Sequence, residues 1–460
     1  MKAKLGLLAW AAGVVVGALP SVNLAQEQPA RPASAVDTPN VILIVADDLG
    51  YGELSCQGAK TVSTPNIDSI AYNGVRFTDG YVTCPVCSPS RAGLISGRYQ
   101  TRFGHELNPD AREPLNFGLP KTVATIGRRM KENGYATAMF GKWHLGDQPG
   151  YRPLERGFDQ FWGFYAGGHG YRGTKPDNPL IDGLRVVETQ PQNLTDVLTG
   201  HATEFIRTNK SRPFFLMVTY NAVHVPVDMD PTREQRFGYL RDKRSRAVRT
   251  MLAAMDDGVG SILWTLNSTN LLDNTLLIFV SDNGNTPDSQ IEDNGGFRGG
   301  KTTMYEGGIR VPMMMQWPKA MPAGQTYRKP VISLDLTATI MAAGGADLSK
   351  HPELDGVDLM PYLTAQKSGD PHDMLFWRYG PHGVVRKGNY KRIRDANYPP
   401  ELYDLAADPA ETTNLAAANP AIVAELDEAY EKWNVDNIEN LWGIWYPKPA
   451  TRPAATTKPK

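Results

Sequence analysis

Residues 40–48 read NVILIVADD, an unbroken apolar run from Val41 to Ala46 closed by two acids, Asp47 and Asp48. So short a run, rich in β-branched side chains, reads as a strand buried on both faces. Three further runs follow the same plan: YATAMFGKWH (135–144), PFFLMVTYNAVH (213–224) and NTLLIFVSDNG (274–284). Helical patterns lie between them. The strongest covers residues 247–266, where Val248, Met251, Leu252, Met255, Val259, Ile262, Leu263 and Leu266 share one face. Strands alternating with helices predict an α/β fold, a large mixed and mainly parallel sheet sandwiched by helices.

Beyond about residue 370 the texture changes. MLFWRYG (374–380), HGVVRKGNYKRIRD (382–395) and PELYDLAADPAETTNLAA (400–417) are short strand-and-turn segments, followed by a helix from about Pro420 to Trp433. They predict a main domain over 38–370 and a smaller C-terminal α+β subdomain over 371–446, antiparallel strands packed on a helix. Residues 447–460, rich in Pro, Thr and Lys, predict a disordered tail.

At the other end, Lys2 and Lys4 precede an apolar stretch from Leu5 to Leu19, then small and polar residues. That layout predicts a signal peptide over 1–25, cleaved after Ala25, and a linker over 26–37. The stretch is shorter than the ~18–20 apolar residues of a spanning helix, so no stable membrane insertion is expected. The mature chain is then exported, periplasmic or secreted. A formal net charge of −1 over 460 residues gives no global field for nucleic acid or an anionic membrane. An anionic substrate would need a local cationic cluster.

Each strand-like run ends in chemically active residues: Asp47 and Asp48, Lys142 and His144, His224, and Asp282 with Asn283. In open parallel sheets ligands bind beyond the carboxyl ends of strands, so these residues are expected at one site. Any one of them alone would more often be a loop start, a helix cap or a structural histidine. Asp47, Asp48, Asp282 and Asn283 are hard oxygen donors, which favour Ca²⁺ or Mg²⁺ over zinc. Arg91, Lys142, His144, His224 and Lys301 add positive charge and protons, a combination suited to a tetrahedral oxyanion.

TCPVCSPSRAGLISGR (83–98) holds two of the three cysteines, Cys84 and Cys87. A zinc clip would need a second ligand pair at similar spacing. A redox pair remains open on spacing alone, as does a Cys56–Cys84 disulfide. In the helical reading, Ser88 is the N-cap and Pro89 the first helical residue. Cys87 then lies at a helix N-terminus, which favours anions, with Arg91 about one turn on.

The stretch Cys87-Ser88-Pro89-Ser90-Arg91, continuing AGLISGR, resembles the C-x-P-S-R signature of type I sulfatases in the alkaline phosphatase superfamily. GYATAMFGKWH (134–144) resembles their second signature. ADDLGYGELSCQG, TPNIDSIAYNGVRFTDGY, SDNG, GGKTTMYEGGIRVP and LYDLAADPAETTNL are similar to family segments in the family's order, over roughly residues 38–440. Ser96 and Phe140 depart from the commoner residues, neither at a catalytic position.

The resemblance implies a sulfuric ester hydrolase acting on a sulfated small molecule or polysaccharide. It implies that a formylglycine-generating maturation enzyme oxidises Cys87 to Cα-formylglycine. The hydrated aldehyde attacks sulfur, and its second hydroxyl then expels sulfate. Carried over by residue, Asp47, Asp48, Asp282, Asn283 and modified Cys87 hold calcium. Arg91 and Lys142 stabilise the nucleophile as its oxyanion, and His144 assists proton loss. His224 and Lys301 bind sulfate, one of them protonating the leaving oxygen.

The alternatives are a phosphatase or phosphonate hydrolase on the same scaffold, a non-catalytic binding protein, and a thiol oxidoreductase using Cys84 and Cys87. Selectivity for the alcohol is expected from residues 105–120 and 165–179, with His105, His169, Tyr171 and Arg172 as candidate sugar or anion contacts.

Overall fold

This computed structural model describes residues 38–109, 117–173, 178–188, 192–286, 291, 294–395 and 398–442. The expected signal peptide, linker and tail lie outside the described residues.

Every residue of the first strand, β1 (Asn40–Ala46), is buried. Its side chains alternate between two cores, Val41, Leu43 and Val45 entering one, Ile42, Ile44 and Ala46 the other. That is the period-2 geometry of a strand covered on both faces. Truncating Ile44 to Ala would cost about 2–5 kcal/mol in lost burial and cavity formation.

In chain order there follow β2 (Val75–Phe77), β3 (Gly80–Tyr81), β4 (Ala136–Lys142), β5 (Gln160–Phe164), β6 (Ile181–Asp182), β7 (Arg185–Val186) and β8 (Phe214–Thr219). Then come β9 (Thr275–Ser281), β10 (Met313–Gln316), β11 (Gln325–Tyr327), β12 (Val331–Ile332), β13 (Met374–Tyr379), β14 (His382–Lys387), β15 (Tyr390–Asp395) and β16 (Glu401–Asp404). Ten of them form one sheet in the order β11-β2-β10-β9-β1-β8-β4-β5-β6-β7. The central run β9-β1-β8-β4-β5 is parallel throughout, whereas β10 runs antiparallel to both its neighbours. The four apolar runs of the sequence are thus adjacent and co-directional, and their carboxyl ends share one edge.

Helices Leu194–Thr208 and Lys243–Ser268 cover the Ile42–Ile44 face, while Cys87–Ser96, Ile126–Glu132 and Ser333–Ala343 cover the other. The apolar stripe expected over 247–266 is buried apart from Leu263, which is partly covered. Asp242 caps that helix by accepting from Ser245 N.

Strands β13–β16 form a separate antiparallel sheet, with helix Pro420–Asn434 lying on β14 and β15. Trp377, Val384 and Leu402 from this sheet join the same core as Val41. Trp377 Nε1 also donates to Val82 O at 2.6 Å. A buried ionic cluster reinforces the seam. Lys391 of β15 reaches Glu306 Oε1 and Glu411 Oε1, each at 2.9 Å, and Tyr81 Oη donates to Glu306 Oε2 at 2.6 Å. Among the described residues no helix is long and apolar enough to cross a membrane.

Candidate active site

The carboxyl edge of the parallel sheet brings the predicted residues together. Asp47 and Asp48 follow β1, Asp282 and Asn283 follow β9, Lys142 ends β4, and His224 lies five residues beyond β8. Asp47 is sewn to the turn after β8, its N donating to Ala222 O at 3.0 Å and its O accepting from Val223 N at 2.8 Å. Asp48 (φ 60°) and His144 (φ 57°) adopt the left-handed region that non-glycine residues avoid. Strain of this kind persists where surrounding contacts over-determine it, often at functional sites.

Three carboxylates face three cations. Lys142 Nζ donates to both oxygens of Asp47, at 2.9 and 2.8 Å. Arg91 Nε donates to Asp282 Oδ2 at 2.8 Å, and its Nη1 donates to Lys142 O at 3.1 Å. Lys301 Nζ lies 2.6 Å from Asp48 Oδ1 and 2.9 Å from Cys87 Sγ. Burial alone would raise the pKa of Asp47, but Lys142, His224 and Arg91 outweigh it and hold the carboxyl below its usual range. Burial likewise opposes charge on Lys301, and Cys87, Asp48 and Asp47 reverse that and raise it. For Cys87 burial wins, pushing the thiol up to about 11, with Asp282 and Asp48 adding to the rise against Lys142. As an unmodified residue it is therefore a neutral thiol at neutral pH, a poor nucleophile.

The donor set fits a hard cation. Asp48 Oδ2 and Asn283 Oδ1 are buried and accept no hydrogen bond. Buried oxygens left in that state are costly unless something electropositive meets them. Ligand atoms of Asp47, Asp48, Cys87 and His224 lie within 4.8 Å of one another. Asn283 joins them by donating Nδ2 to Asp48 Oδ1 at 2.7 Å. Both oxygens of Asp282 are engaged, Oδ1 by Asp48 N at 3.2 Å and Oδ2 by Arg91. The charges of the centre otherwise balance, so a divalent cation would leave it net positive towards an anionic ester.

Several expectations are corrected. Ser88 is not the N-cap: the helix begins at Cys87 after extended Val86, placing Pro89 at its third residue. Ser88 Oγ is used elsewhere, donating to His144 O at 2.6 Å and lying 2.7 Å from His105 Nε2. Cys56 and Cys84 form no disulfide. Cys56 lies in the turn Ser55–Gln57 beside Asp68, and Cys84 is buried near Cys87 and Glu106. His105 is no sugar contact, being fully buried with its ring 4.5 Å from that of Trp442. Tyr171 is also buried and supports His224 from beneath, donating to Asn221 O and His224 O at 2.7 and 3.0 Å. His169 is buried, while Arg172 is half-exposed and paired with Asp228.

Sequence reasoning missed Gly167 and Gly168. A Cβ at Gly167 would stand 2.7 Å from His144 Nε2, and one at Gly168 3.0 Å from His224 Cε1. The doublet lets the loop lie flat on both histidines, and two adjacent glycines in a polar loop were the available signal. The Lys301 loop is similarly pinned, with Lys301 N donating to Asn285 O and Thr302 N to Pro85 O, both at 2.8 Å.

A family model described as Sulfatase matches residues 39–346. The chain belongs to the sulfatase family. A second model, N-sulphoglucosamine sulphohydrolase, C-terminal, matches residues 296–435 of this sulfatase. Arylsulfatase A of Homo sapiens is 33% identical over 452 residues, covering 85% of this chain and 86% of its own. N-acetylgalactosamine-6-sulfatase of Mus musculus is 33% identical over 384 residues, covering 78% and 72%. Among solved structures, Ps i-CgsB in complex with k-i-k-neocarrahexaose is 34% identical with a TM-score of 0.83, covering 88% and 94%. The sulfatase is accordingly a sulfuric ester hydrolase with an alkaline phosphatase-like fold.

Proposed function

We propose that this sulfatase removes sulfate from a sulfated carbohydrate, using Cα-formylglycine made from Cys87 by a maturation enzyme, with calcium bound beside it. The observation that carries the reading is the placement of Cys87, buried at a helix N-terminus and ringed by Lys301, Asp48, Asp282 and Lys142. As a thiol with its pKa near 11 the side chain has no evident use there. In the oxidised form, residue 87 supplies a hydrated aldehyde, an oxygen nucleophile that needs no separate water to release the product.

Calcium would be held by oxygens of Asp47, Asp48, Asp282 and Asn283 together with residue 87, and would supply fixed positive charge opposite the ester. Lys142 and Arg91 anchor Asp47 and Asp282 and hold positive charge against residue 87. His144, its pKa lowered by burial, Lys142 and Arg91, is a neutral imidazole able to accept a proton. Lys301 and His224 border the open side, with side-chain exposures of 13% and 17%, and are placed to bind sulfate oxygens. One of them protonates the leaving oxygen. Charged groups preset in this way need no reorganisation during reaction, which is where most of such a rate enhancement arises.

The carbohydrate assignment rests on likeness to Ps i-CgsB, whose structure contains k-i-k-neocarrahexaose. We further propose export to the periplasm or medium, directed by residues 1–25. Mass spectrometry of the Cys87 peptide from the native host, with turnover of aryl and sugar sulfates, tests the reading. The expected result is a residue lighter than cysteine by the thiol-to-aldehyde change together with sulfate release. An unmodified cysteine in fully active protein would overturn it.

A further inference from the structure

A cavity of about 210 Å³ lies between residues 298–305 and the C-terminal sheet. Ile393, Tyr398, Met304 and Tyr305 form much of its wall, with His382 and Asp395 among its polar lining. His382 and Asp395 are cross-strand partners, with Nδ1 2.8 Å from Asp395 Oδ2. That contact fixes the imidazole and turns Nε2 away from the carboxylate.

The cavity adjoins the loop that carries Lys301. Thr302, part of its wall, is one residue, about 3.8 Å of chain, from Lys301, whose Nζ touches Cys87 Sγ. From the other side, Tyr379 pairs with His382 in the β13–β14 ladder. The hairpin tip therefore contributes His382 to the cavity wall.

We infer that this cavity is a subsite for a saccharide ring glycosidically linked to the sulfated one, its apolar face against Tyr398 and its hydroxyls read by His382. This rests on the carbohydrate-sulfatase reading above. Ring walls with a few oriented polar groups suit a sugar, which has an apolar C–H face and a hydroxyl edge. The volume lies below the ~300–1,000 Å³ of pockets for drug-sized ligands, which suits a single ring. Asp395 and Glu401 also line the cavity beside Arg298, so it lacks the excess positive charge a second sulfate would need. The occupant is an unsulfated ring.

The test compares His382→Ala and Tyr398→Ala with the native enzyme on 4-nitrophenyl sulfate and on sulfated di- to hexasaccharides prepared from carrageenan, chondroitin sulfate and heparin. Each variant should lose about tenfold or more in kcat/KM on the best oligosaccharide, mainly through KM, as for one good ring contact or hydrogen bond. Turnover of 4-nitrophenyl sulfate should stay within about twofold. Calorimetric binding of the same oligosaccharide to the Cys87→Ala protein should weaken in parallel when His382→Ala is added. Equal losses on both substrate types, or none on either, would overturn the subsite. Native enzyme that cleaves 4-nitrophenyl sulfate but no oligosaccharide would overturn the saccharide occupant. If it cleaved neither, the underlying sulfatase reading would fall, whatever the binding data showed.

Discussion

Lys301 Nζ lies 2.9 Å from Cys87 Sγ, although the two residues are 214 positions apart. The contact places a protonated amine beside residue 87. It depends on a loop held by backbone bonds to Asn285 and Pro85, with Thr302 in the left-handed region (φ 72°). The Lys301 side chain keeps 13% exposure, so in the reading proposed above its amine can meet a sulfate oxygen as well as residue 87.

Replacing Lys301 with Ala should therefore reduce kcat/KM for a sulfate ester by about 10²–10³-fold, the range for one preorganised charge or donor. Circular dichroism and melting temperature should stay close to native. Unchanged kinetics would remove Lys301 from the reaction.

Gly167→Ala tests positioning without touching a titrating group. The new Cβ would meet His144 Nε2 at 2.7 Å, forcing the ring aside. A displacement of about 1 Å can cost about 10²-fold in rate, so kcat should fall steeply while stability changes little. Native kcat in this variant would show that His144 tolerates movement.

Lys142 and Asp47 are both fully buried. Lys142→Met should lower unfolding free energy by about 3–5 kcal/mol, because it strands a buried carboxylate. Urea denaturation of metal-free protein would measure this. A loss below about 1 kcal/mol would mean that Arg91, 3.5 Å from Asp47 Oδ1, suffices alone.

Chelation should abolish turnover, with calcium restoring it. It should also lower the melting temperature, since an ion that binds only the folded chain stabilises it by mass action. Full activity in demonstrably metal-free protein would refute the metal assignment.

The Lys391 cluster predicts a pH dependence away from the site. Burial raises Glu411 to about 7, while Lys391 and Arg310 overcome burial and hold Glu306 at about 2. Between an ordinary carboxyl pKa and about 7 the folded chain keeps a proton that the unfolded chain has lost, so stability falls as pH rises through that window. Glu306 acts in the opposite sense at lower pH, its contribution disappearing as pH falls below the ordinary value towards about 2. Glu411→Gln should thus be near neutral at about pH 5 and stabilising by the order of 1–3 kcal/mol at about pH 8. A difference in melting temperature that does not vary with pH would contradict this.

Much of the site was legible because its residues sit where local pattern meets a general rule. Asp47, Lys142 and Asp282 stand at or just beyond the ends of apolar runs, and parallel strands put such ends at one edge. Cys87 and Arg91 are on one helical turn, a relation fixed by 3.6 residues per turn. Ser88 shows the limit. A serine before proline resembles a cap, yet its hydroxyl is drawn to His144 O and His105, partners that no local pattern reveals.

The amino-acid sequence by itself determined the strands, their buried faces and the chemistry gathered at their ends, because hydrophobic period and residue type act locally. Tertiary structure alone decided which groups meet across long separations. It brought Lys301 onto Cys87, laid Gly167 on His144, and set the C-terminal sheet against residues 298–305 to form the cavity at His382. Those contacts follow from how sheets and loops pack in three dimensions, where a shift of a few ångströms changes the partner without changing any local propensity.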